Sequence, residues 1–290
     1  MNETLFRLPV GEWADAFVDV LTDNLDRVFD VIGTGVDTLF DGAELALAGP
    51  APWVVALVLA AAAFFAKGWR LALGSLVGLA VIYGVDQWEN AMSTLALVLV
   101  ASLIAVAVGI PLGVWAARNG HVSRALRPVL DFMQTMPAFV YLIPAVVLFR
   151  VGVVPGVVAT IIFAMAPGVR LTELGIRQVD SEVVEAGHAF GATPGRILRQ
   201  IQLPLALPTI MAGLNQVIML ALSMVVISGM VGAPGLGQDV VQALQTVNIG
   251  LGVEAGLSVV ILAMILDRVT AALGDRAPVA KALRVRAASD

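Results

Sequence analysis

The sequence predicts an all-α polytopic membrane protein. Three observations carry that prediction: a mean hydropathy of +0.92 over 290 residues, a charged fraction of only 13%, and apolar runs recurring between short polar links. A soluble domain of this length has too little interior to hide so much apolar surface, whereas helices facing lipid leave it exposed. With no cysteine, the chain offers no disulfide, thiolate nucleophile or thiolate metal ligand.

Residues 1–49 differ in kind from the rest. Asp15, Asp19, Asp23, Asp26, Asp30, Asp37 and Asp41 recur at helical spacing, with Trp13, Phe17, Leu21, Val28, Ile32, Leu39 and Phe40 at the opposing positions. This predicts an amphipathic helix, with Gly33 and Gly35 as the place for a break. Ten acidic and two basic residues in the first fifty would be repelled by anionic headgroups. The helix is therefore expected on the extracytoplasmic surface, its apolar side against the bundle or a partner. A solvated acidic face accounts for the aspartates; a cation site is the alternative. MNETLFRLPV lacks a basic stretch leading into an apolar core, so no cleaved leader is expected.

Seven spans follow, near 52–66, 71–85, 91–116, 128–149, 153–169, 205–229 and 253–273. The first two form an N-terminal hairpin (50–89) turning at KGWR, residues 67–70, with Trp53, Lys67 and Trp69 as interfacial anchors. The first is short against the roughly 20 residues a bilayer needs. The other five lie within 90–274, interrupted by a polar segment at 177–204, and 275–290 form a tail. When sides alternate, 14 of the 17 Lys and Arg fall with 67–70, 117–127, 170–204, the tail and the tail-proximal end of the last span (Arg268), leaving Arg7, Arg27 and Arg150 opposite. The positive-inside bias places the first set in the cytoplasm, hence the N-terminus outside and the C-terminus cytoplasmic.

The segment VEAGHAFGATPGRILRQIQLP, 184–204, is polar between two apolar runs. Asp180 or Ser181 can cap a short helix through Phe190, Gly191 permits a sharp turn, and Thr193-Pro194 opens a second helix through Gln200. Pro204 then marks the return into the membrane. Two short helices meeting at a glycine make a stiff cytoplasmic knob, suited to passing force from a soluble partner to the adjoining spans.

Glu185-Ala186-Gly187, Gly191, Ile201, Leu203 and Pro204 match the EAA loop of ATP-binding-cassette importer permeases: E-A-A, three residues, G, nine residues, I-x-L-P. Only Gly187 departs, replacing the second alanine and loosening the helix by up to about 1 kcal/mol. DFMQTMPAFVYLIP (131–144), QLPLALPTIMAGLNQVIMLALSMVVISGMVG (202–232) and ILDRVTAALG (265–274) resemble the osmoprotectant branch, whose members import glycine betaine, proline betaine, choline or carnitine. The resemblance runs from about residue 90 to 274.

It implies a type I importer permease fold and a homodimer docking two cytoplasmic ATPase subunits on its EAA loops, fed by an extracytoplasmic binding protein. Glu185 would be the main polar contact with the ATPase, Gly191 the turn, and Ala186 and Gly187 the close-packed face. The chain itself has no G-x-x-x-x-G-K-[ST], so no nucleotide cofactor is expected on it; ATP and Mg²⁺ belong to the partner. GLGQ at 235–238 reads as a tight turn in an outer loop. His121 and His188 lie in polar loops without metal-ligand spacing, and nothing suggests nucleic acid.

A quaternary ammonium ion is held by aromatic cages. Here only five Trp and two Tyr are present, with Trp53, Trp69 and Trp88 at expected interfaces, so the cage is expected on the binding protein. Gln134, Thr135 and Tyr141 in the fourth span, with Asn215, Met219 and Ser223 in the sixth, are the candidate pathway lining; interhelical hydrogen bonding explains them equally well. Gly74/Gly78, Gly109/Gly113, Gly152/Gly156 and Gly252/Gly256 have spacings that permit close helix contact. Asp131 is explained by the helix dipole after Pro128. A secondary transporter would instead carry ion-coupling residues deep in the spans and an internal repeat, and neither is evident; a non-transporting scaffold or sensor is the other alternative.

The orientation is checked by labelling. A cysteine placed by Thr22→Cys should react with an impermeant reagent in intact cells or spheroplasts and one placed by Ala192→Cys should not; the reverse pattern would invert the topology.

Overall fold

The computed structural model describes residues 8–275, so Arg7 and all but the first residue of the expected tail 275–290 lie outside the described residues. The helices are α1 (Val10–Ala48), α2 (Pro52–Lys67), α3 (Trp69–Gly84), α4 (Trp88–Arg118), α5 (Gly120–Thr135), α6 (Ala138–Phe149), α7 (Val153–Arg177), α8 (Ser181–Ala189), α9 (Pro194–Ile197), α10 (Leu203–Gly229), α11 (Leu236–Thr246) and α12 (Ile249–Asp275). A π-helical turn, Leu198–Gln202, joins α9 to α10.

At the centre, α7 lies between α4 and α10. Gly109 faces Met165 and Gly113 faces Thr172, so α4 runs parallel to α7; Gly156 meets Ser228 and Gly175 meets Ala206 and Thr209, so α10 runs antiparallel. Lipid tails are as apolar as leucine, so what draws such helices together is van der Waals contact, which small residues maximise by letting backbones approach. At Gly113 an added Cβ would lie 2.6 Å from both Thr172 Cβ and the Val169 carbonyl. Thr160 and Ser228, both buried, give their hydroxyls to the Gly156 carbonyl at 2.7 and 3.3 Å, satisfying polar groups within the contact. The Gly109/Gly113 spacing is thus used inside one subunit.

Four helical segments, α4, α7, α12 and the continuous stretch Pro194–Gly229, are each long and apolar enough to cross a bilayer, and six if the bent pairs α1–α2 and α5–α6 each count as one. Of the seven expected positions, α3 is apolar but shorter than that length, and two others lie in the bent pairs. The hairpin helices α2 and α3 exist as expected but have 16 residues each, about 24 Å against a hydrocarbon core of about 30 Å.

The fourth expected span, 128–149, is not one helix. α5 and α6 meet at a 99° bend. Pro137 supplies no N–H and drives Met136 to an extended conformation, φ −72° and ψ 134°. Pro128 sits within α5, so Asp131 is not in a first turn; it pairs instead with Arg170 of α7. The dipole explanation is replaced by an ion pair.

α1 also departs from expectation. It runs 39 residues without a break at Gly33 or Gly35, because Phe29, beside them, stacks edge-on against Phe149 of α6 at 5.6 Å and keeps that stretch in contact. The face that packs is Val36, Phe40, Ala43 and Leu47, against α4 and α7. Of the expected apolar face only Phe40 is buried, while Trp13 and Phe17 remain 60% and 63% exposed. Among the described residues the buried contacts of the helix lie in its second half, and the stripe on the first half stays largely exposed. Among the described residues no three acidic or His side chains gather to hold an ion.

The GLGQ segment is not only a turn. Gly235, at φ +114°, leads into α11, whose first amide, Leu236 N–H, donates to Thr94 Oγ1 of α4 at 2.9 Å.

Gly113→Val should cost about 1–3 kcal/mol by forcing α4 from α7, seen as lowered thermal stability in detergent. Gly74→Ala, where an added Cβ meets nothing within 4 Å, should change stability by less than about 1 kcal/mol.

Candidate functional site

α8 stands off the bundle with no buried residue of its own. Its start is as the sequence demands: Asp180 caps it, the carboxylate accepting from Glu182 N–H at 2.9 Å. Its end is set by Gly191 at φ +76°, a left-handed conformation that a side chain resists; Gly191 and Ala192 amides donate back to the His188 and Gly187 carbonyls at 2.9 and 3.1 Å. Thr193 and Pro194 then open α9.

The second helix does not stop at Gln200. α9, the π-turn and α10 form one helical path from Pro194 to Gly229, 36 residues. Pro204 is tolerated because the π-turn beneath it already alters the hydrogen-bond ladder. What was expected as a free-standing knob is therefore one short helix folded against the first turns of a membrane-crossing one.

The motif residues divide by environment. Glu185 and Ala186 are exposed, as are Gly191 and Pro204. Gly187 is half-buried and faces inward: a methyl group there would lie 3.0 Å from Ile201 Cδ1 and 3.3 Å from Ile197 Cγ1. The departure from alanine thus lets α8 settle more closely on α9 and the π-turn. Ile197 and Leu198 are buried, with Ile176, Ala206 and Ile210 around Leu198 and Leu203 packed beside them, tying the motif to the ends of α7 and α10.

One residue the motif does not name stands out. Phe190, at the tip of α8, is 92% exposed, more than any other large apolar side chain among the described residues. An aromatic directly before the glycine turn of a polar loop was the available signal in the sequence.

Behind α8, at the end of α7, lies a polar cluster. Glu173, only 8% exposed, accepts on one oxygen from Ser123 Oγ of α5 at 2.6 Å and from Arg177 Nε at 3.0 Å, with Arg127 of α5 at 3.7 Å. Arg177 also donates to the Ala116 carbonyl of α4 at 2.9 Å. Arg127, Glu173 and Arg177, with Asp131 and Arg170, line an open recess of about 300 Å³.

The expected pathway residues are not brought to one surface. Gln134 and Thr135 are exposed at the end of α5, Thr135 bonding its own helix through the Asp131 carbonyl at 2.9 Å. Tyr141 turns inward: it is 6% exposed among Leu142, Ala159 and Met224, and its hydroxyl donates to the Met133 carbonyl at 2.5 Å, bracing the α5–α6 bend. Asn215 is engaged by α12, donating to Asp267 Oδ1 at 2.9 Å and accepting from Thr270 Oγ1 at 2.5 Å. Met219 and Ser223 remain exposed on α10, Ser223 bonding only its own Met219 carbonyl at 3.0 Å.

Comparison with known proteins matches this arrangement. Residues 109–277 fit the family described as binding-protein-dependent transport system inner membrane component. The glycine betaine/carnitine transport permease protein GbuB of Listeria monocytogenes is 48% identical over 274 residues, covering 93% of this chain and 97% of that protein. The glycine betaine transport system permease protein OpuAB of Bacillus subtilis is 47% identical over 268 residues, covering 92% and 95%. Among solved structures, the inward-facing methionine ABC transporter MetNI superposes with a TM-score of 0.57 at 24% identity, over 66% of this chain and 92% of that one, a likeness of fold. The chain belongs to the inner-membrane component family of binding-protein-dependent transport systems, as a multi-pass permease subunit.

Proposed function

We propose that this chain is the translocating subunit of an ATP-driven importer of quaternary ammonium osmolytes such as glycine betaine, proline betaine, choline or carnitine. The observation that carries the reading is near-full-length similarity to permeases named for glycine betaine and carnitine, in a chain that presents α8 free of its own bundle. Two copies form the pathway in the lipid bilayer, two cytoplasmic ATPase subunits dock on α8, and an extracytoplasmic binding protein delivers substrate. The chain holds no nucleotide; ATP and Mg²⁺ reside on the ATPase.

In this reading Glu185 supplies a charged contact at the rim of the docked surface and Phe190 an apolar anchor at its centre, since exposed aromatics dominate such interfaces. Ala186 and Gly187 keep the helix slim, Gly191 sets the turn, and Ile201, Leu203 and Pro204 join the loop to the span that must move. The pathway residues are Met219 and Ser223, exposed on α10, and Gln134 and Thr135, exposed at the end of α5. Tyr141 and Asn215 act beside it through the hydrogen bonds that hold α6 and α12 in place.

Glu185→Arg should leave the permease inserted and folded yet abolish substrate-stimulated ATP hydrolysis in the reconstituted complex. Phe190→Ser should weaken ATPase docking by about 2 kcal/mol, roughly 30-fold in Kd, measured by titrating the ATPase onto permease in nanodiscs. Normal stimulation and affinity in both variants would remove α8 as the docking element.

Ser223→Trp should block uptake of labelled glycine betaine while binding-protein affinity and complex assembly stay unchanged, because it obstructs a passage without touching the loop. Uptake near the unmodified rate would assign this face to packing.

A further inference from the structure

We propose that Glu173 is a positioning residue that carries movement of α8 to the broken α5–α6 segment. The proposal rests on the reading of α8 as the ATPase-docking element. Glu173 is the only charged side chain buried among the described residues. Burying a carboxylate and its partners is weak evidence for stability, since apolar packing does as well, but such groups can fix register between elements. The arginines at this end have an explanation in charge asymmetry across a membrane; a buried acid does not.

The geometry names what is held. α5 buries only Ser123 and Leu130. Its hold on α7 combines one apolar contact, Leu130 with Leu126 and Met133 against Ala166 and Val169, with polar ties: Ser123 and Arg127 to Glu173, and Asp131 to Arg170. Arg177, one turn beyond Glu173, clamps the same carboxylate and the last turns of α4. α7 ends at that arginine, and α8 is capped by Asp180 three residues later. A push on α8 is thus delivered to the turn of α7 that grips α5, and α5 ends at the 99° bend into α6. Glu173 makes the push on the loop and the swing of the broken segment one movement.

The test uses the assembled complex in proteoliposomes, measuring labelled glycine betaine uptake and ATP hydrolysis in the same vesicles. Ser123→Ala with Arg127→Ala cuts the ties of Glu173 to α5 while leaving the Glu173–Arg177 pair inside α7 and the Asp131–Arg170 pair beside it. Glu173→Gln keeps the shape and removes the charge. In both, substrate moved per ATP should fall about ten-fold while hydrolysis itself stays within about two-fold, and Ser123→Thr with Arg127→Lys should restore most of the ratio. An unchanged ratio in the Ser123→Ala/Arg127→Ala variant overturns the proposal, including where Glu173→Gln fails to assemble. Glu185→Arg, run alongside, separates the two readings. If it loses stimulation while the α5 variant stays fully coupled, the loop reading stands and the role of Glu173 falls. If it keeps stimulation, the loop reading fails and takes this proposal with it.

Discussion

Three helices must approach one another closely in a medium that offers no hydrophobic reward for doing so. Every other feature of this subunit hangs on that contact. Gly109 and Gly113 of α4, Gly156 and Gly175 of α7 and Gly213 of α10 remove the side chains that would hold the backbones apart. Dispersion summed over the resulting contact then does what water-driven burial does in a soluble core. Around this rigid centre the remaining helices are less constrained. α5 and α6 lie across it in two pieces, and α2 and α3 attach at the side of α12 and α4 through Val55, Leu79 and Ile82.

The loop joins two of these central helices. α8 is short, polar and unburied, yet its two flanks are not loops: α7 arrives from one side, and the path from Pro194 to Gly229 leaves from the other, 36 residues long, or roughly 54 Å. A force on α8 therefore acts on two long levers that are packed against each other, with the π-turn at Leu198–Gln202 as the place where one of them differs from a uniform helix. Gly187 matters here because it brings α8 against Ile197 and Ile201, so that the short helix moves with the long one.

Polar groups inside the bundle are spent on holding elements in place. Tyr141 closes the α5–α6 bend, Asn215 joins α10 to α12 through Asp267 and Thr270, and Thr94 caps α11. Each satisfies a donor or acceptor that lipid could not. Met219 and Ser223 stay exposed on α10, Ser223 bonding only the Met219 carbonyl of its own helix.

Local chemistry was legible in the sequence. The Asp180 cap, the Gly191 turn and the Thr193-Pro194 helix start each depend on residues close together in the chain, and the structure has each where the sequence put it. Partnerships were not legible. Periodicity announces that α1 has an apolar stripe, but only the extent of its neighbours decides that Val36 and Phe40 are covered and Trp13 and Phe17 are not. A hydropathy window averages over Pro137 and reads one span where the backbone turns through 99°. Asp131 and Glu173 look like ordinary interfacial charges until α5 is laid beside α7, and Tyr141 and Asn215 look like lining until their hydrogen bonds are seen. Sequence spacing records which side chains share a face; which face meets which neighbour is settled by packing across the fold, between residues tens of positions apart.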